Sequence, residues 1–161
     1  MIFLTVGTQL PFDRLVGAVD RWAATRRDAD VFAQVGPTAL RPVAIAWERF
    51  VAPAECRERM RAADAIVAHA GLGTILTALE LGTPIVVMPR RADLGEHRND
   101  HQLATARRFA ERGSIDVAFD EAELHARLDA LRAGGPAARR RRIGRHAEGP
   151  LVDALRAFIA G

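Results

Sequence analysis

The stretch His69, Ala70, Gly71, Leu72, Gly73, Thr74 carries the residue types that can hold an anion. Two glycines two apart let a backbone come close to a ligand. They stand just before an apolar run with helical spacing, and the free N–H groups and positive dipole end of a helix favour negative charge there. Thr74 can cap that helix or bond a phosphate oxygen, and His69 can add a donor. Taken alone, the loop reads equally as a plain glycine turn with a threonine cap. It is neither a Walker A loop nor a dinucleotide GxGxxG.

A second polar stretch runs from Pro89 to Gln102 and holds Glu96, His97, Asp100, His101 and Gln102. It is long for a strand-to-helix connection, where about 2–6 residues is usual. Asp100, His101 and Gln102 fall near or inside the first turn of the next helix, where Gln102 can bond sugar hydroxyls. The other candidates are weaker. Asp28 and Asp30 follow a helix and precede a strand, which puts them on the wrong edge for a site. His69, His97 and His101 lie on two loops and do not form a metal set. No nucleophile elbow is present. Trp47 reads as a core or edge residue, and the single cysteine, Cys56, as a half-buried helix residue in a reducing compartment.

These loops need a frame. Ile2–Val6, Val31–Val35, Val43–Trp47, Asp64–Ala68, Thr83–Met88 and the weaker Ser114–Ala118 are short apolar runs, and they read as buried strands. Helical patterns lie between most of them. One begins at Pro11 with Phe12, Leu15, Val16, Val19 and Trp22 inward, and others run from Pro53 to about Ala62, Thr74 to Leu81 and His97 to Arg112. Two more helices follow, around Gly134, Gly135 and Pro136. Continuous apolar strands alternating with helices predict an α/β fold, a doubly wound, mostly parallel Rossmann-like sheet. Ligands in that class sit at the carboxyl ends of the strands. Gly7, Thr8 and Gln9 follow the first strand, and Glu48 to Val51 follow the third. The two polar loops follow the fourth and fifth.

Net charge is +3 over 161 residues, with arginine as the basic residue. That is weak evidence for nucleic acid, and no aromatics interleave with the arginines, so no nucleic-acid partner is expected. Arg139–Arg142 and Arg145 form a basic cluster on an expected terminal helix from about residue 136. It reads as a solvated face or as a contact for anionic lipid or an acidic partner. There is no leader-like N-terminus and no apolar run near the roughly 20 residues that span a bilayer. A cytoplasmic chain is expected.

At these loops the sequence resembles the carboxyl-terminal, donor-binding domain of family 28 glycosyltransferases. The resemblance is carried by Val6–Gln9 with Pro11 and Phe12, by Asp64–Thr74, by Gly82–Pro89 and by Asp100–Gln102. It is strongest to small subunits of two-component enzymes, including those of bacterial exopolysaccharide synthesis and of dolichol-linked sugar synthesis. It implies one half of a GT-B fold and one nucleotide-sugar-binding domain over 1–161. It also implies an inverting transfer from a UDP-sugar, with no cofactor and no required metal. By position, Gly7, Thr8 and Gln9 match a turn facing the diphosphate, and His69, Gly71, Gly73 and Thr74 match the main diphosphate loop. Phe50 and Val51 match the uracil site. His101 and Gln102 match the pair that reads the donor sugar, with Glu96 and Asp100 beside them. The usual ribose-binding glutamate is replaced by Thr77, and Glu80 is the nearest substitute. A membrane-anchored partner is implied for the acceptor half and the general base, which makes a hetero-oligomer peripheral to the inner face of the membrane. His69 and His101 are the only local base candidates. A nucleotide-sugar-binding module without catalysis and a basic docking protein remain the other readings.

Overall fold

The computed structural model describes residues 1–111, 113 and 115–134. The order of elements is β1 (Ile2–Thr5), α1 (Asp13–Ala24), β2 (Val31–Gln34), β3 (Ala46–Glu48), α2 (Pro53–Ala62), β4 (Ala65–His69), α3 (Leu72–Leu81), β5 (Ile85–Met88), α4 (His101–Glu111), β6 (Asp116–Val117) and α5 (Glu121–Arg132). A 3-10 turn, Ala92–Leu94, precedes α4. The six strands form one sheet in the order β3-β2-β1-β4-β5-β6. Every pairing is parallel, with Phe3 opposite both Phe32 and Ile66. This is the expected doubly wound fold. The strand order reverses between β1 and β4, and that crevice is where such sheets take ligands.

Alternation along each strand splits the core in two. Ile2, Leu4, Val67, Val86 and Met88 pack against α1 and α5 through Leu15, Val16, Val19, Trp22, Leu124 and Leu128. Phe3, Ile66, Ala68, Ile85 and Val87 face the other way, onto Met60, Ile75, Ala78, Leu79 and Ala106 of α2, α3 and α4. Both faces are covered, which is why the strands read as unbroken apolar runs.

Most element ends shift by a residue or two from the sequence reading, and three of the differences bear on the site or have a visible cause. β3 begins at Ala46 rather than Val43, because the Asp20 carboxylate takes the Val43 N–H (3.1 Å) and Ala44 N–H (2.8 Å) and ties that stretch to α1. Val43 is consequently exposed. α3 begins at Leu72, with Gly71 as its N-cap and no side-chain cap, so Thr74 lies inside the first turn and does not cap it. α4 begins at His101 rather than His97. The chain between is used up by the 3-10 turn and Gly95 (φ +69°), and the Asp100 carboxylate takes the Ala92 N–H (2.9 Å) to close that loop. Gly82 ends α3 in the left-handed conformation expected of a C-terminal glycine (φ +71°). The arginine cluster and its expected helix lie outside the described residues, as do Arg112 and Ser114.

Leu15 is fully buried between α1 and the sheet. Leu15→Ala is expected to lower stability by about 2–5 kcal/mol, read from urea unfolding.

Candidate functional site

The crevice between β1 and β4 is built around one side chain. His69 ends β4, and its ring lies between the loops that follow β1 and β4. A Cβ on Gly7 would stand 2.9 Å from His69 Cε1, and one on Gly71 would stand 2.2 Å from His69 Nε2. Both glycines are therefore required by contact with the imidazole, and Gly7 also by its φ of +78°. His69 Nδ1 is buried and makes no hydrogen bond among the described residues. Desolvation, and then the charge of Arg90, push the ring's pKa down to about 4, with the Thr5 backbone pulling weakly the other way. The ring is neutral at physiological pH, and it sets the spacing of the two loops.

Free donors surround this ring. The Gly7 N–H turns inward to Thr5 Oγ1 (3.2 Å). The next two residues, Thr8 and Gln9, are exposed, and their N–H groups have no partner among the described residues. In α3 the first inward bond runs from Ile75 N to Gly71 O (3.1 Å), which leaves the Leu72, Gly73 and Thr74 N–H groups without a partner among the described residues. Nothing lies within 4 Å of a Cβ placed on Gly73, so this helix end opens onto free space. One turn on, the Thr77 hydroxyl bonds back to Gly73 O (2.9 Å). Glu80 faces α2 and pairs with Arg57 (3.0 Å), away from the helix start.

Two buried side chains hold the loops in place, and sequence reasoning singled out neither. Gln34, at the end of β2, donates to Thr5 Oγ1 (3.2 Å) and Gly7 O (3.3 Å), while its Oε1 accepts the Val51 N–H (3.0 Å). It joins the loop after β1 to the loop after β3. The Val51 N–H is thereby committed, and the neighbouring Phe50 is 50% exposed. Arg90 follows β5 and is 3% exposed. Its Nη2 donates to Val6 O (2.8 Å) and Leu10 O (2.7 Å), and its Nε to Pro11 O (3.4 Å). Desolvation lowers its pKa to about 10, against the raising effect of Glu96, so it remains a cation at neutral pH. The available signals were a polar residue closing an apolar strand, Gln34, and an arginine directly after a strand's proline, Arg90.

The loop before α4 is held internally. Glu96 takes a two-pronged bond from Arg14 (2.6 and 2.9 Å) and the Arg91 N–H (2.9 Å). Gln102 is 4% exposed, and its Oε1 accepts the Arg90 N–H (3.2 Å). The Gln102 amide N–H groups donate to no partner among the described residues. His101 is exposed, bonds Asn99 Oδ1 through Nδ1, and meets the His97 ring edge-on at 4.4 Å. Desolvation, followed by the neighbours His101, Arg90 and Arg98, holds the His97 pKa below its usual value. The structure gathers Gly7, His69 and Gly71 tightly, with Arg90 joining Gln102 to the first loop. Val51 reaches that loop through Gln34, and Phe50 beside it in sequence is half exposed. Glu96 is turned toward α1.

A doubly wound sheet with unpaired N–H groups and a helix N-terminus at its switch point belongs to the class of α/β domains that take ligands at that crevice. The chain belongs to the glycosyltransferase family 28 C-terminal domain family, whose model matches residues 1–148. The human UDP-N-acetylglucosamine transferase subunit ALG13 is 27% identical over 124 residues, which is 71% of this chain and 10% of that protein. The chain therefore spans about a tenth of that relative's length. An NMR solution structure of ALG13 superposes with a TM-score of 0.60 at 18% identity, covering 96% of this chain and 93% of that one. The glycotransferase of kitacinnamycin gives 0.62 at 21% identity, covering 85% of this chain and 36% of the other. Acinetobacter baumannii MurG gives 0.55 at 21% identity, covering 81% and 40%. The family resemblance read from the loops is borne out.

The depressed His69 pKa has a stability consequence. The unfolded chain takes up a proton near pH 6.5 and the folded chain only near 4. This contribution is complete above pH 6.5 and is lost as pH falls toward 4, by on the order of 3 kcal/mol. Urea unfolding at pH 7 and 4.5 is expected to show a smaller acid loss for His69→Gln than for the wild type.

Proposed function

We propose that this chain is the donor-binding half of an inverting glycosyltransferase that uses a UDP-sugar. The observation that carries this reading is the set of unpaired N–H groups on Thr8, Gln9, Leu72, Gly73 and Thr74, at the switch point of a family 28 domain. As the bond from sugar to diphosphate breaks, negative charge grows on the leaving nucleotide. Preorganised N–H groups, a helix dipole and the nearby Arg90 charge stabilise it without reorganisation. That is also the physical reason a metal can be dispensable. Phe50 and the Val51 backbone serve the base, and His101 and Gln102, with Asp100 and Glu96 behind them, serve the sugar.

The general base belongs to a partner. His69 is enclosed between Gly7 and Gly71, and His101 takes a binding role beside Asn99. A membrane-anchored subunit carrying the acceptor-binding domain completes the enzyme, and through it the chain stays cytoplasmic and peripheral to the membrane. The support for this is that the ALG13 relative is by name a subunit of a UDP-N-acetylglucosamine transferase. No described helix is long and apolar enough to cross a membrane. The product belongs to exopolysaccharide or lipid-linked glycan synthesis. The second reading, a nucleotide-sugar module without catalysis, is favoured by the ribose side alone. The Thr77 hydroxyl donates within its helix and one oxygen of Glu80 is drawn to Arg57 on α2, so neither matches a glutamate held toward a ribose at the helix start.

Gly73→Asp tests the site. The position opens onto free space, so the fold tolerates the side chain, while a carboxylate repels a diphosphate. Calorimetry is expected to show UDP affinity lost with the melting temperature held. Unchanged affinity would place the nucleotide elsewhere. Sugar transfer by the wild type with its partner, and none without it, separates the enzyme from the binding module.

A further inference from the structure

We infer that Arg90 is the positioning residue of the diphosphate loop, setting Thr8 and Gln9 through the main chain without touching the donor. The inference rests on the reading of the crevice as a nucleoside-diphosphate site. Arg90 is the only charged residue in the buried set among the described residues. Burying an unpaired ion costs several kcal/mol in general, so its surroundings must answer that charge. Among the described residues no carboxylate hydrogen-bonds it. The nearest candidate, Glu96, gives its oxygens to Arg14 and to the Arg91 N–H. All the acceptors of the guanidinium are main-chain carbonyls, those of Val6, Leu10 and Pro11, and all belong to the connection between β1 and α1.

Those carbonyls bracket Gly7, Thr8 and Gln9. Charge-assisted bonds at both ends of the bracket hold its span, while Gln34 holds Gly7 O from the β2 side. The N–H groups of Thr8 and Gln9, inside that bracket, have no partner among the described residues, and the tie fixes the span in which they sit. The main-chain N–H of Arg90 rests on Gln102, which places the proposed sugar-reading residue one hydrogen bond from the same tie. A tie needed only for folding would leave the ligand preference of the folded protein untouched. A positioning role predicts loss of phosphate affinity specifically.

The test compares Arg90→Lys and Arg90→Gln with the wild type. Dissociation constants for UDP and for uridine are measured by NMR titration, which reports on the folded fraction even if stability falls, with the dTDP–thymidine and GDP–guanosine pairs run alongside. The expected result is UDP binding weakened about tenfold or more in Arg90→Gln, by the loss of charge-assisted bonds, with uridine binding unchanged and Arg90→Lys intermediate. Equal loss for UDP and uridine, or no loss for either, overturns the inference while the site reading stands. A wild type that binds no nucleoside diphosphate overturns both.

Discussion

Everything at the ligand edge depends on the packing of one neutral imidazole between two glycines. His69 closes β4, and the turns after β1 and β4 approach each other only because Gly7 and Gly71 have no side chain to strike it. Burial of the ring keeps it uncharged. An uncharged spacer suits an anion site built from backbone dipoles, since the attraction comes from N–H groups and a helix end that need no proton. The sheet contributes the switch point, and the imidazole sets how wide the crevice is.

Around that spacer the polar groups form one connected system. Gln34 joins the loops after β1 and β3, and Arg90 joins the loop after β1 to β5 and, through its main chain, to Gln102 on α4. Glu96 and Arg14 fasten the far end of that loop to α1. Such a network is favourable only when each member is satisfied. Among the described residues the members without partners include the N–H groups of Thr8, Gln9, Leu72, Gly73 and Thr74, the Gln102 amide N–H groups and His69 Nδ1.

Much of this was legible in the sequence. The apolar runs marked the strands, and the rule that ligands sit beyond strand ends picked out the loops at Gly7, His69 and Gln102. What was not legible depended on distance along the chain. Asp20 capturing Val43 and Ala44 is a contact across more than twenty residues, and it moved β3. Gln34 and Arg90 looked like a strand residue and a loop residue, because their partners lie on other elements. The start of α3 was misplaced because Thr74 is a good cap by type, whereas Gly71 holds that position in the structure with no side chain at all.

The central claim is that a nucleoside diphosphate binds where β1 and β4 diverge. The most direct measurement is an amide NMR titration of the chain with UDP. The account predicts the largest shift changes at Thr8, Gln9, Leu72, Gly73 and Thr74. Changes confined to the opposite edge of the sheet, around Asp28, Asp30 and Asp64, or none at all, would contradict it.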